Sequence, residues 1–170
     1  ACEAGKPDGG LAALALVTRA GRPWPESLRD DAAFWTARCR LIADQYSDAA
    51  EMLADAIDAH PNSDLIPQMR FDLAVCLSRE ARAAQAQSAF EEFLRRHAAH
   101  ELAPDAMLAL ASLQQQQGAP DKALQTSESF LKDFPEHPRL ASAALLLAEI
   151  LYQQGEFAKA AEACTRALRA

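Results

Sequence analysis

The sequence predicts an all-α fold, an α-solenoid of antiparallel helix pairs that repeats every 37 residues. Two series of alanines carry this period along the 170-residue chain. The first series is Ala12, Ala49, Ala86, Ala123 and Ala160, and the second is Ala37, Ala74, Ala111 and Ala148. The composition agrees, because 50% of the residues are apolar and only 6% are aromatic, which favours closely packed helices over sheets. Each repeat therefore places two small residues where two helices press together.

Prolines and turn residues mark where the helices of each repeat begin and end. Pro67 and Pro104 hold equivalent positions near the start of a first helix, where the missing N–H costs little. A turn follows the first helix, and the turn position is held by Ala81, Gly118 and Gly155. Glycine suits this position because it tolerates the positive φ that ends many helices. A second helix then completes the pair.

Prolines also close the repeats, at residues 60–63 and 134–137, because proline stops a helix before the next copy begins. Residues 1–27 are predicted to form a remnant or N-terminal partial repeat, with a helix over 11–20 and a rigid joint at 23–25. Four repeats are predicted at 28–64, 65–101, 102–138 and 139–170. The last has no closing proline or polar cap, so we expect a longer array, ends covered by a partner, or self-association through the uncapped ends.

Charge and hydropathy limit the classes of partner. The net charge of −7 argues against nucleic-acid binding, which needs a basic surface. No apolar run approaches the roughly 20 residues of a membrane span. We therefore expect membrane contact only indirectly, or through a lipid anchor on Cys2 if that residue is the remnant of a bacterial lipoprotein cleavage site.

A second interpretation of Cys2 is favoured, because Cys2, Cys39 and Cys76 keep the 37-residue spacing and so share one core position. Packed helices lie about 8–10 Å apart, whereas a disulfide needs Cα atoms within about 7 Å. These cysteines are therefore predicted to be small buried thiols rather than a disulfide framework. Cys164 has no obvious partner.

Nothing in the sequence predicts catalysis, a metal site or a cofactor. His97, His100 and Glu101 lie close together, but no Cys or His pair has the spacing of a zinc site. No phosphate loop, nucleophile elbow, HExxH motif or dinucleotide fingerprint is present. We therefore expect that the chain is not an enzyme.

Residues 148–160, with the sequence AEILYQQGEFAKA, resemble the tetratricopeptide repeat. They contain the family's series of a small residue, a large residue, glycine, an aromatic residue and alanine. The third repeat is similar through Ala111, Gly118, Ala123 and Pro135, whereas the second repeat departs most from the pattern. The resemblance implies a right-handed superhelix.

The resemblance also implies where a partner binds, because first helices line a concave groove in this family and receive a peptide or a helix there. The family's groove phase selects Phe34, Arg38, Leu41, Phe71, Val75, Ser78, Leu108, Ser112, Gln115, Leu145, Glu149 and Tyr152. Among them Phe34, Phe71, Leu108 and Leu145 form one apolar row. Such a row either holds an apolar partner or packs between the helices of adjacent repeats. The groove lacks the dense Lys/Arg clamp expected for an acidic peptide C-terminus.

These observations predict a non-catalytic protein–protein interaction scaffold that binds a peptide or helix as part of a larger bacterial assembly. Two alternatives stay open: a periplasmic, lipid-anchored factor of outer-membrane or cell-envelope assembly, and the recruiting arm of a larger enzyme. The repeat length exceeds the family's usual unit of about 34 residues. This longer repeat is similar to repeats of bacterial outer-membrane assembly and envelope coordination proteins. The similarity favours a periplasmic or envelope location over a cytoplasmic one.

Overall fold

The computed structural model describes residues 24–169, which form eight α-helices and no strand after a short 3-10 turn at Glu26–Leu28. The first helices of the pairs are α1 (Arg29–Ile42), α3 (Ile66–Arg79), α5 (Ala103–Gln116) and α7 (Leu140–Gln153). The second helices are α2 (Tyr46–Ala59), α4 (Ala83–Arg96), α6 (Pro120–Asp133) and α8 (Phe157–Arg169). Equivalent helices begin 37 residues apart throughout. The predicted all-α solenoid of helix pairs is confirmed, while the exact repeat boundaries stay a prediction.

Several sequence-based expectations lie outside the described residues. These are the partial repeat's helix over 11–20, Ala12 of the first alanine series and the lipid anchor on Cys2. Within the described part, no helix has the length and apolarity that a membrane crossing requires.

Both alanine series lie at helix contacts, as their spacing predicted. The second series falls on the first helices and the described part of the first series falls on the second helices. All eight of these alanines are buried. A methyl group at each position lets the two backbones of a pair approach closely, which explains why the register is kept from repeat to repeat.

The chain divides into two compact units, Ala1–Ala89 and Phe90–Ala170, and the division falls within α4. In the first unit α2 packs between α1 and α3, and the core is centred on Phe34, Leu53 and Met69. In the second unit α6 packs against α5 and α7, and α7 packs against α8. The core of this second unit includes Phe130 and Leu147.

In all four pairs the turn after the first helix has a residue in the left-handed conformation at the same position. Gly118 and Gly155 have φ of 72° and 81°, and Ala81 and Asp44 adopt φ of 57° and 59°. Each of these turns closes with two backbone hydrogen bonds back into the helix, as in the donation from the Gly118 N–H to the Gln115 carbonyl at 3.0 Å. The turn positions predicted from the sequence are confirmed, and the pattern extends to Asp44, which glycine spacing did not reveal.

Replacing Ala81 by glycine is expected to raise the free energy of unfolding by about 1 kcal/mol, because an alanine in the left-handed region is strained. The reverse change, Gly118→Ala, is the matched control and is expected to lower it by about 1 kcal/mol. A Cβ at Gly118 would meet no atom within 4 Å, so conformational strain alone is tested there. Urea unfolding followed by circular dichroism measures both; equal signs for the two variants would contradict the interpretation.

Histidines stabilise the loops between repeats of the second unit. His137 Nδ1 accepts the N–H of Arg139 at 3.2 Å, and its ring packs edge-on against Phe130 with centroids 5.9 Å apart. His100 Nδ1 accepts the N–H of Leu102 at 3.1 Å in the same way. These histidines therefore shape the chain reversal before the next first helix.

The prediction of buried thiols is wrong for Cys39, which is disulfide-bonded. Cys76 and Cys164 are free, the first buried and the second exposed, while Cys2 lies outside the described residues. The prediction fails because the spacing of about 8–10 Å between packed helices is measured between helix axes, whereas the limit of about 7 Å for a disulfide is measured between Cα atoms. Because Cα atoms lie about 2.3 Å from the axis, facing Cα atoms of packed helices come to about 4–5 Å, within reach of a disulfide.

Candidate functional site

The first helices of the second unit form a shared surface, here called the α5–α7 face. The two helices contact each other directly. The predicted groove residues on this surface are Leu108, Ser112, Gln115, Leu145, Glu149 and Tyr152. The three on α5 are half-buried and the three on α7 are exposed. The structure therefore brings half of the predicted site together in one unit.

Apolar side chains on α7 project into solvent as well as into the core. Leu147 and Leu151 are buried, whereas Leu145 is 56% exposed and Tyr152 is 66% exposed. Leu145, Glu149 and Tyr152 follow one another at steps of four and three residues, which places them on one side of a helix. The exposed side of α7 is therefore an apolar stripe with one carboxylate in its middle.

An exposed aromatic pair extends this stripe into α8. The rings of Tyr152 and Phe157 meet at 5.3 Å with an interplanar angle of 66°, a T-shaped contact, and Phe157 is 61% exposed. Phe157 was not among the predicted site residues, because the sequence interpretation used it only as the aromatic position of the repeat motif. Its proximity to Tyr152 follows from the tight turn at Gly155.

Amide side chains connect the two helices of the face. Gln115 Nε2 donates to Gln153 Oε1 at 3.5 Å, and Gln153 Nε2 donates to Glu149 Oε1 at 3.4 Å. Both hydrogen bonds are long, so these amides can turn toward a ligand at little cost. The groups could then bond the backbone of a bound segment, which always offers both N–H and C=O.

The corresponding surface of the first unit, between α1 and α3, is occupied by the chain's own side chains. Phe34 is only 2% exposed and belongs to the core, so of the two alternatives stated for the apolar row it packs between helices. The Arg38 guanidinium lies 5.5 Å from the centroid of the Phe34 ring and 5.7 Å from that of Trp35. Its Nε also lies 3.3 Å from Asp72 Oδ2 on α3. Arg38 therefore covers Phe34 and joins the two helices.

The other predicted residues of the first unit are Leu41, Phe71, Val75 and Ser78, all half-buried. None of these four presents a large apolar surface of the kind seen at Leu145 and Tyr152. The α5–α7 face is therefore the better candidate for a contact surface.

Two buried ionisable groups of α3 lie beneath the Arg38 contact. Burial raises the pKa of Asp72 to about 6, and the neighbouring Arg38 charge only partly offsets this effect. Burial, followed by the Asp72 charge, raises the pKa of Cys76 to about 12, so its thiol stays protonated and unreactive. Within residues 24–169 no group of three or more His, Cys, Asp or Glu side chains is placed to hold a metal ion.

Comparison with known proteins gives one family. The tetratricopeptide repeat family model matches residues 1–64, 71–138 and 116–170. No curated protein sequence matches the chain.

Solved structures similar to this chain include that of MamA, at 17% identity and a TM-score of 0.79, covering 98% of this chain and 90% of that one. MamA 41-end from Desulfovibrio magneticus RS-1 is similar at 14% identity and a TM-score of 0.78, covering 98% and 86%. YrrB, described as a TPR protein with an unusual peptide-binding site, is similar at 16% identity and a TM-score of 0.70, covering 98% and 79%. At these identities the similarity concerns the fold.

Proposed function

Because the chain belongs to the tetratricopeptide repeat family, we propose that it is a non-catalytic scaffold that binds a peptide or helix of another protein on the α5–α7 face. The observation that carries this proposal is the exposure of Leu145 and Tyr152 on one side of α7. The opposite side of α7, with Leu147 and Leu151, is already buried. Their place at the surface is typical of a contact site.

The kinds of side chain on this face also support a binding role. Tyrosine is enriched among residues that dominate interface energies, because its large rigid ring loses little conformational entropy on binding. Leu145 and Tyr152 lie seven residues apart, which is about 10 Å along the helix and matches the reach of a short peptide or two turns of a helix. The glutamines around them supply polar groups that can set the register.

The proposal is tested by placing a photo-crosslinking amino acid at position 145 or 152 in cells of the source organism. Position 125, where Gln125 is exposed on α6, is the matched control in the same unit. We expect one discrete partner band at 145 and 152 and none at 125. A second copy of the chain as the crosslinked protein would identify self-association on this face.

The crosslinked partner then allows a quantitative measurement with Leu145→Ser and Tyr152→Ala. We expect the double variant to weaken binding at least about thirtyfold, since an interface anchor contributes about 2 kcal/mol or more. The thermal midpoint of unfolding should stay unchanged, because both side chains are exposed and surface substitutions usually cost less than about 0.5 kcal/mol. Loss of fold in place of loss of binding would assign these residues to packing and refute the proposal.

A location in the cell envelope, as part of a periplasmic assembly system, is a second proposal, and the disulfide at Cys39 supports it. Disulfides persist in oxidising compartments such as the periplasm and are rare in the cytosol. A lipid anchor on Cys2 is a separate proposal for the same location.

Thiol labelling of protein isolated without reductant distinguishes these arrangements. Exposed Cys164 is expected to react with iodoacetamide at once, and buried Cys76 only after unfolding. Cys39 should react only after both unfolding and reduction. Labelling of Cys39 in unreduced, unfolded protein taken from cells would remove the support for an oxidising compartment, and the intact mass would reveal a lipid.

A further inference from the structure

We propose that the segment bound by the α5–α7 face carries a lysine or arginine beside a bulky apolar residue. This inference rests on the proposed function, because it specifies the chemistry of the partner that the face receives. Three observations support it: the acidic residues of the two helices, the exposed aromatic pair, and the contact of Arg38 with a ring and a carboxylate in the first unit.

Both charged residues within α5 and α7 are acidic. Neither α5 nor α7 contains a lysine or an arginine, and their carboxylates are Asp105 and Glu149. Asp105 is neutralised by Arg139, whose Nε lies 2.6 Å from Asp105 Oδ1. Glu149 is exposed and accepts one long hydrogen bond from Gln153, and within residues 24–169 it forms no ion pair. A positively charged group of the partner would therefore be the counter-ion of the Glu149 carboxylate.

Among the described residues, no cation of a neighbouring element forms an ion pair with Glu149. Asp121 at the start of α6 accepts a hydrogen bond from Gln154 at 3.1 Å and adds a further carboxylate. On α8 Lys159 Nζ lies 3.3 Å from Glu156 Oε2, so this cation already has a carboxylate partner. The surroundings of Glu149 therefore reinforce the preference for a cation brought by the ligand.

The aromatic pair gives a cation a second point of contact. Tyr152 follows Glu149 by three residues, and side chains at this spacing are neighbours on a helix. A lysine or arginine that pairs with Glu149 therefore lies beside the Tyr152 ring, whose face attracts cations. Exposed aromatic groups next to an unneutralised carboxylate are the components of such a binding site.

The first unit contains these components together with a cation of its own. There the Arg38 guanidinium lies 5.5 Å from the Phe34 ring centroid and 3.3 Å from the Asp72 carboxylate. In the second unit Glu149 and Tyr152 lie on α7 and Phe157 lies on α8, and Glu149 stands at the repeat position of Arg38. In the first unit Arg38 forms this contact of a cation with a ring and a carboxylate within the chain. In the second unit a cation of the ligand would form it.

The apolar requirement comes from the preceding turn of α7. Leu145 precedes Glu149 by four residues and is exposed, and half-buried Leu108 lies on the neighbouring helix α5. A bulky apolar side chain next to the ligand's cation would cover Leu145 as the cation reaches Glu149. The motif is short, because the stripe from Leu145 to Tyr152 spans about 10 Å.

The test is selection of a randomised peptide library, displayed on phage, against the full chain and against the charge-reversal variant Glu149→Lys. We expect the wild-type chain to enrich lysine or arginine beside a bulky apolar residue, and Glu149→Lys to enrich aspartate or glutamate instead. The consensus peptide is then made and its Kd measured. Glu149→Gln should weaken it about two- to fivefold, with the difference shrinking at high salt, as for other exposed ion pairs. Glu128→Gln, at an exposed glutamate of α6, should leave it unchanged.

Other outcomes separate this inference from the proposed function. Apolar peptides without enriched basic residues, whose binding is lost in Tyr152→Ala but unchanged in Glu149→Gln, would overturn the inference and leave the docking face in place. Failure to select any peptide, or peptides indifferent to both Leu145→Ser and Tyr152→Ala, would overturn both. Unchanged circular dichroism melting of each variant confirms that the differences arise in binding.

Discussion

Truncation of Phe130 to alanine is expected to lower the free energy of unfolding by about 3–5 kcal/mol. Phe130 on α6 is 1% exposed and lies in the core of the second unit beside Leu147 on α7. Its ring also meets the rings of Phe134 and His137 at 5.5 and 5.9 Å, which connects the helix to the loop that follows. Removing it leaves a cavity that the helix pair cannot close without shifting. Folded domains have only about 5–15 kcal/mol in total, so this variant should be near the limit of folding.

The matched control is Phe157→Ala, the same substitution in the same unit at a side chain that is 61% exposed. We expect a change of less than about 0.5 kcal/mol there. Urea unfolding of both variants, followed by circular dichroism at 222 nm as a helix signal, gives the two values side by side. Equal losses for the two variants would contradict the distinction between core and contact surface on which the candidate site depends.

The packing of helix pairs could be predicted from the sequence because it depends on local, repeated features. The alanine positions need only to be small, and their environment is the same contact between two helices in every repeat. The turn positions were predictable for a similar reason, since a left-handed residue favours glycine at Gly118 and Gly155. Ala81 was found by its register, although its residue type opposes the conformation.

The candidate site could be predicted only in part, because exposure at one repeat position varies along the chain. Phe34 and Leu145 are equivalent in register, yet the first is core and the second is exposed. In the first unit α3 follows α1, and Trp35 and Arg38 lie against the Phe34 ring, whereas within residues 24–169 no first helix follows α7. Phe157 was missed because its contact with Tyr152 depends on the geometry of the turn between them.

Buried charge was the other feature that sequence periodicity did not reveal. Asp72 falls among apolar residues of α3 and shows no repeat signature, but it is only 8% exposed. Arg38 approaches its Oδ2 to 3.3 Å, although Oδ2 has no hydrogen-bond partner in the described structure. Loss of hydration is therefore only partly compensated, which explains why burial outweighs the ion pair and raises the pKa of Asp72 to about 6.

The consequence is a defined dependence of stability on pH. The pKa of Asp72 is about 6 in the folded chain, compared with its usual value of 3.8. The native state holds this proton more tightly than the unfolded state does. Protonation of Asp72 therefore stabilises the native state fully below about pH 4, and this stabilisation is lost as the pH rises through about 6. A shift of about two pKa units corresponds to a loss of about 3 kcal/mol.

Asp72→Asn is expected to remove this loss, since asparagine resembles the protonated acid in size and charge. At about pH 7.5 the variant should gain up to about 3 kcal/mol in the free energy of unfolding, and at about pH 4 it should match the wild type. Arg38 tolerates the change because its side chain is 40% exposed and can be hydrated. Urea midpoints across this pH range measure the difference, with exposed Asp55→Asn as the control on α2. A variant that is less stable at neutral pH would show that the ion pair to Arg38 outweighs desolvation, and that the link between α1 and α3 stabilises the first unit.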